Sequence, residues 1–135
     1  MFLNSIEGGM NMCDLDVCNT TMGPVVVPIP YPNTATNDAA DPATTGMCVL
    51  FDGMPSVTVM TSLTFSMDDE TGDMLGLVSH MIMGETTFLE PVPNVLIDGM
   101  PATCIMGMTG QNCLEVVLNG PGSTLAPSQT IVMAA

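Results

Sequence analysis

The chain contains no lysine and no arginine. That absence excludes more than any motif does. Nothing here can neutralise a phosphate backbone, so nucleic acid is excluded as a partner class, and the same deficit argues against anionic membrane surfaces. No carboxylate can pair with a Lys or Arg of its own chain, and 14 acidic residues leave a formal net charge of −14. Stability must then come from burial and backbone hydrogen bonds, while mutual repulsion keeps the particle dispersed. Tryptophan is absent, and His80 is the single histidine. With one histidine and no G-x-S-x-G elbow, a Ser or Cys nucleophile has no obvious base. Gly120-Pro121-Gly122 lacks the lysine and following helix of a phosphate cradle. The chain therefore reads as non-enzymatic. No apolar run approaches the roughly 18 residues of a membrane helix, which argues against stable membrane insertion. The first residues, Met1 to Gly9, lack the basic region and apolar length of a signal peptide. A cytoplasmic chain is expected, leaving the cell only if carried out whole.

What is present points to short strands. Thirteen Gly and eleven Pro in 135 residues, with few good helix-forming runs, predict turns and an all-β fold in one domain, 1–135. Residues 1–23 show no clear periodicity. Residues 25–33, V-V-V-P-I-P-Y-P-N, predict an extended edge strand, because its prolines cannot donate ladder hydrogen bonds. Residues 34–46 read as a polar loop and the most mobile part of the chain. Residues 66–76 read as an acidic loop whose charges are solvated; its spacing does not match a calcium loop. Strands are expected at 114–118 and 130–133, with a turn at Asn119-Gly-Pro-Gly.

The chain also says one thing twice. Cys48 to Met60 reads C-V-L-F-D-G-M-P-S-V-T-V-M, and Asn94 to Met106 reads N-V-L-I-D-G-M-P-A-T-C-I-M. Seven of thirteen positions are identical at an offset of 46. Each copy predicts a hairpin. An apolar β run leads into Asp52-Gly53 or Asp98-Gly99, a pair suited to φ > 0 and a tight turn. Pro55 or Pro101 then forces the chain to restart extended. The hairpin units span 47–63 and 94–108.

The Val95-Leu-Ile-Asp-Gly-Met-Pro-Ala102 stretch resembles the V-x-V-N-G-x-P-A-A-R signature of PAAR-repeat proteins, in particular their PAAR-like branch. Stretches in the same order support it: Gly8-Gly-Met-Asn-Met12, Asp16-Val-Cys18, Val27-Pro-Ile-Pro-Tyr-Pro-Asn33, Ile82-Met-Gly84 and Leu125-Ala-Pro-Ser-Gln129. The motif's final arginine is missing; Thr58 and Cys104 stand in its place. The resemblance implies a small conical β domain with an internal duplication. It implies a structural role, capping and sharpening the trimeric β-helical spike of a type VI secretion-like contractile injection machine. It also implies attachment of effectors or adaptors, assembly in the cytoplasm, and export on the needle to the outside or into a target cell. No C-terminal toxin is expected after the domain. To meet a trimer, a single chain needs approximate three-fold shape, expected from the two hairpins with 25–33 as a third arm. The rival readings are a stand-alone Cys/Met-rich zinc or copper protein and an effector chaperone.

Five cysteines in a cytoplasmic chain read as thiols or ligands rather than as a disulfide framework. By resemblance to zinc-bearing members of the family, one zinc near the tip is expected on His80, Cys113 and one or both of Cys13 and Cys18. Thiolates and one imidazole suit tetrahedral zinc. Fifteen methionines, including three M-x-M pairs, read as fillers of irregular core gaps, with copper(I) as the alternative.

Overall fold

The prolines at alternate positions 28, 30 and 32 explain where the largest sheet ends. In the computed structural model, which describes residues 1–134, β1 (Met10–Met22) and β2 (Val25–Thr36) form a long antiparallel hairpin. Thr34 turns its N–H and C=O away from β1, exchanging both with Met67. Outward-facing groups recur every second residue. Pro32, Pro30 and Pro28 therefore fall where the exposed edge would otherwise present N–H donors, and β2 is the edge strand its sequence predicts.

The fold is all-β. Ten strands are joined by turns and two single-turn 3-10 segments, Asn37–Ala39 and Pro42–Thr44, with no α-helix among the described residues. Six strands make the main sheet. They are β2, β1, β10 (Gly120–Ala126), β9 (Met108–Cys113), β6 (Glu85–Phe88) and β5 (Ser62–Leu63), in that order. The other four form the two repeated hairpins. These pair β3 (Gly46–Phe51) with β4 (Met54–Ser56), and β7 (Val92–Ile97) with β8 (Met100–Ala102). Both turns have positive φ at both central residues, 52° and 81° at Asp52-Gly53 and 51° and 82° at Asp98-Gly99. This is the primed turn that suits twisted strands.

The interior is unusual in being largely polar. One apolar cluster joins the hairpins through Leu3, Phe51, Ile97, Ala102 and Cys104. A second holds Ala35, Val57, Leu63 and Phe88. Elsewhere most buried side chains are amides and hydroxyls, many linked to one another, with Asp16, Asp69 and the thiols of Cys13, Cys18 and Cys113 among them. Asn11 Nδ2 donates to Asn37 Oδ1 at 2.7 Å, Thr124 Oγ1 donates to Asn11 Oδ1 at 2.7 Å, and Asn37 Nδ2 donates to the Ser5 carbonyl at 3.0 Å. Such groups are tolerated inside only when paired.

Several expectations need correction. Residues 1–23 contain the longest strand, β1, whose alternation is broken by a bulge. Cys13 faces Asn33 but Asp16 faces Tyr31, so β1 gains one residue there. The bulge moves the buried set from Asn11 and Cys13 to Asp16, Cys18 and Thr20, which hides the period from a sequence reading. Gly120-Pro-Gly opens a strand rather than making a turn, and 114–118 is the turn, bridged between Leu114 and Val117. None of the fifteen methionines lies in the buried core; most are exposed. The acidic loop is not wholly solvated, because Asp69 is fully buried.

Candidate functional site

Three six-residue segments carry one burial pattern. Phe2–Glu7, Pro55–Met60 and Pro101–Met106 each read half-buried, three buried, half-buried, exposed. Their backbones close two rings of hydrogen bonds. In the first, Asn4 N donates to the Thr103 carbonyl, Thr103 N to Val57 and Val57 N to Asn4, at 3.0, 3.3 and 2.9 Å. In the second, Ile6 N donates to Pro55, Val59 N to Pro101 and Ile105 N to Phe2, at 3.0, 3.1 and 2.9 Å. Three antiparallel bridges follow, Leu3↔Cys104, Ser5↔Ser56 and Thr58↔Ala102. Under the rotation Leu3→Ser56→Ala102, each bridge maps onto the next. The chain thus has an approximate three-fold axis through Asn4, Val57 and Thr103.

The third arm is not 25–33, which lies on the sheet edge. It is built from residues 1–6 against 129–134. Phe2 bridges Met133, where the hairpins pair Pro55 with Leu50 and Pro101 with Leu96. Met1 and Ala134 exchange two hydrogen bonds, 2.7 Å from the amino group and 2.9 Å to the Met1 carbonyl, where the other arms have their Asp-Gly turns. Gln129 donates to the Leu3 carbonyl at 2.6 Å and locks the arm's far end. The side chains at the equivalent outward position are all large, apolar and exposed: Leu50 54%, Leu96 64%, Met133 61%. Three-fold-related apolar side chains in water are what a docking surface needs.

The four residues expected to hold zinc do not meet. His80 is exposed in a turn at φ 57°. Cys113 is buried beside β6, its sulfur 3.3 Å from both Thr87 Oγ1 and the Gly110 carbonyl. Cys13 packs where β1 meets Gly120, inward of the bulge. Burial pushes the thiols of Cys13 and Cys113 up. Of the four, only Cys18 belongs to a group able to hold a metal. Its partners are Asp16 and Asp69, with the ligand atoms of all three within 4.8 Å of one another and all three residues buried. Among the described residues this is the one such His, Cys, Asp or Glu group. Asp69 escaped the sequence reading because it sits inside a run of acids. Asp16 stands out only as part of the Asp16-Val-Cys18 stretch, and its burial is hidden because the bulge leaves no periodic trace.

Amides surround the acids. Asp16 accepts hydrogen bonds from Asn33 (2.7 Å), Asn112 and Asn119, and Asn112 also donates to Asp69. Burial nonetheless pushes the Asp16 carboxyl up, against the pull of those amides, with Asp69 adding to the rise. The Cys18 thiol is pushed up to about 12, by burial first and then by Asp16 and Asp69. With no Lys or Arg in the chain, only neutral donors face two buried carboxylates.

The family model described as the toxin PAAR-like domain matches residues 9–117, well over half of the chain. No curated protein and no solved structure matches.

Proposed function

From the premise that the chain belongs to the toxin PAAR-like domain family, we propose that it is the non-catalytic tip of a contractile injection spike. Its three-fold end caps the blunt end of a trimeric β-helical spike protein. The single observation that carries this reading is the pair of closed hydrogen-bond rings, which gives one chain the symmetry of three. A trimeric β-helix ends in three equivalent apolar and strand-edge surfaces, and such surfaces need a cover. Leu50, Leu96 and Met133 offer three equivalent apolar contacts. Exposed methionines within the three arms, Met1, Met60, Met100 and Met106, add side chains that adapt their shape to a partner.

The rest of the chain faces away from the spike and is where effectors or adaptors attach. The chain assembles in the cytoplasm and leaves on the needle. No helix of the described residues is long and apolar enough to cross a membrane. A free metal carrier or a chaperone has no use for a three-fold face.

Capture of the chain by its cognate spike trimer tests the proposal. The unmodified chain should be retained, and so should Leu15→Asp, a control at an exposed site on β1 outside the three arms. Leu50→Asp combined with Leu96→Asp should be lost. Equal retention of all three, or no complex with both partners folded, sinks the proposal.

A further inference from the structure

The two sides of the β1–β2 hairpin are finished differently. Along β1 each outward residue beyond the bulge has a partner. The Val17 carbonyl accepts from Leu77 N at 2.9 Å, Asn19 N donates to the Leu75 carbonyl at 2.8 Å, the Asn19 carbonyl accepts from Met74 N at 3.0 Å, and Thr21 N donates to Asp73 Oδ1 at 2.8 Å. Along β2 only Thr34 has a partner, Met67. The same alternation turns Pro32, Pro30, Pro28 and Val26 outward. Among the described residues, no group is hydrogen-bonded to their outward backbone atoms. Proline has no N–H. The free edge therefore presents four carbonyls and one N–H, that of Val26, along roughly 20 Å of strand. Its far end is bare: every residue from Thr21 to Pro28 is exposed, Met22, Val25 and Val27 among them.

We propose that this edge of β2, from Val26 to Pro32, with the bare hairpin end beside it, binds an extended polypeptide segment carrying arginine or lysine at alternate positions. The proposal does not rest on the spike reading, because the edge lies outside the three arms. An open strand edge recruits extended chain. This one accepts at four points and donates at one, so its complement is a group that only donates. Arginine and lysine side chains are the donor-only side chains that also carry charge. The outward carbonyls recur about every 6.6 Å, which is the spacing of side chains along one face of a strand. Charge points the same way. Met67 bridges Thr34 in antiparallel sense, so the exposed Asp68 follows it toward Pro32. Asp73 stands at the hairpin end, beside Thr21. A guanidinium or ammonium on the edge would meet a carbonyl and a nearby carboxylate together, with no cation of the chain to compete. Its aliphatic stem can lie on the exposed valines. A second copy of this chain is a poor occupant. It brings the same acceptor edge, and a net charge of −14 repels its like.

The probes are fluorescein-labelled peptides about eight residues long, matched to the free edge, that alternate arginine with valine or glutamate with valine. They are titrated with the full chain and followed by anisotropy in about 0.1 M salt, where exposed charges beyond about 10 Å are largely screened. The arginine peptide should bind one per chain and weaken as salt rises; the glutamate peptide should not bind. Val26→Arg sets a like charge on the edge and should weaken the arginine peptide about tenfold. Val116→Arg makes the same change in net charge at an exposed turn outside β2, and should leave binding within about twofold. Hydrogen exchange on the unmodified chain locates the peptide without any variant. The Val26 N–H should exchange more slowly with peptide bound, and those of Leu50 and Leu96 should not change. No binding by the arginine peptide, or equal binding by the glutamate peptide, overturns the proposal. So does equal weakening by Val26→Arg and Val116→Arg, or slowing at Leu50 and Leu96 in place of Val26. Spike capture plays no part in these readings, so their failure is distinct from failure of the spike reading.

Discussion

Replacing Gly53 in parallel with Gly99, by alanine, asparagine and valine, isolates one quantity. It is the cost of holding an L-residue at φ 81° and 82°. A Cβ at either site meets nothing within 4 Å, so neither packing nor a clash enters the result. The left-handed backbone costs alanine about 1–2 kcal/mol. The stiffer unfolded chain gives back about 0.4–1 kcal/mol. The net loss is roughly 0–1.6 kcal/mol per site, about 0.8 kcal/mol at the midpoint. For a chain of this length the midpoint corresponds to a melting temperature lower by about 3 °C. Asparagine should lie close to glycine, because it tolerates this region, and valine should lie well below alanine. The approximate three-fold axis adds a sharper demand, that the three substitutions rank identically and shift by similar amounts at both sites. Thermal and urea denaturation of the six variants measure this. Valine tolerated as well as asparagine at either turn would refute the turn assignment. A large disparity between the two sites would refute their equivalence.

Two further outcomes follow from packing and burial. Gly46→Ala should cost about 1–3 kcal/mol by denaturation, and more than Gly53→Ala, because its Cβ would lie 2.3 Å from Ser56 Oγ and 2.5 Å from Ile97 Cγ2. Of the five cysteines only Cys48 is exposed. Iodoacetamide should label one thiol per folded chain, with no second thiol labelled as pH rises from 7 to 9, because burial holds the thiols of Cys13, Cys104 and Cys113 high; mass spectrometry of native and urea-treated protein reads both states.

The hairpins were legible because their signals are local. Asp52-Gly53 and Asp98-Gly99 announce the turns, and the apolar run before each announces the first strand; the second strands are Met54–Ser56 and Met100–Ala102 rather than the apolar runs at 57–59 and 103–105. The edge position of β2 was legible for the same reason, since three prolines at alternate positions allow little else. The third arm was not legible. Its two halves lie at opposite ends of the numbering, and Met1 and Ala134 replace the Asp-Gly pair. Once the fold aligns them, the likeness is plain: Val132-Met133 stands with Val49-Leu50 and Val95-Leu96, and Met1 with Met54 and Met100. The acidic site was hidden by different physics. A bulge reverses the face of β1 after Cys13, and Asp69 is buried among acids that are mostly in water. Cys18 was singled out by type, but the groups beside it are the carboxylates of Asp16 and Asp69 rather than His80 and Cys113. The methionines misled because their usual place in a core does not hold when the interior is filled by amides and threonines.

The central claim is that one chain imitates three, and stoichiometry tests it most directly. Native mass spectrometry of the chain mixed in excess with its cognate spike trimer should show one chain per three spike subunits, with no second chain added as the ratio rises. Three chains per trimer would mean that each subunit binds its own copy, and the three-fold end would then have no part in the capping of the spike.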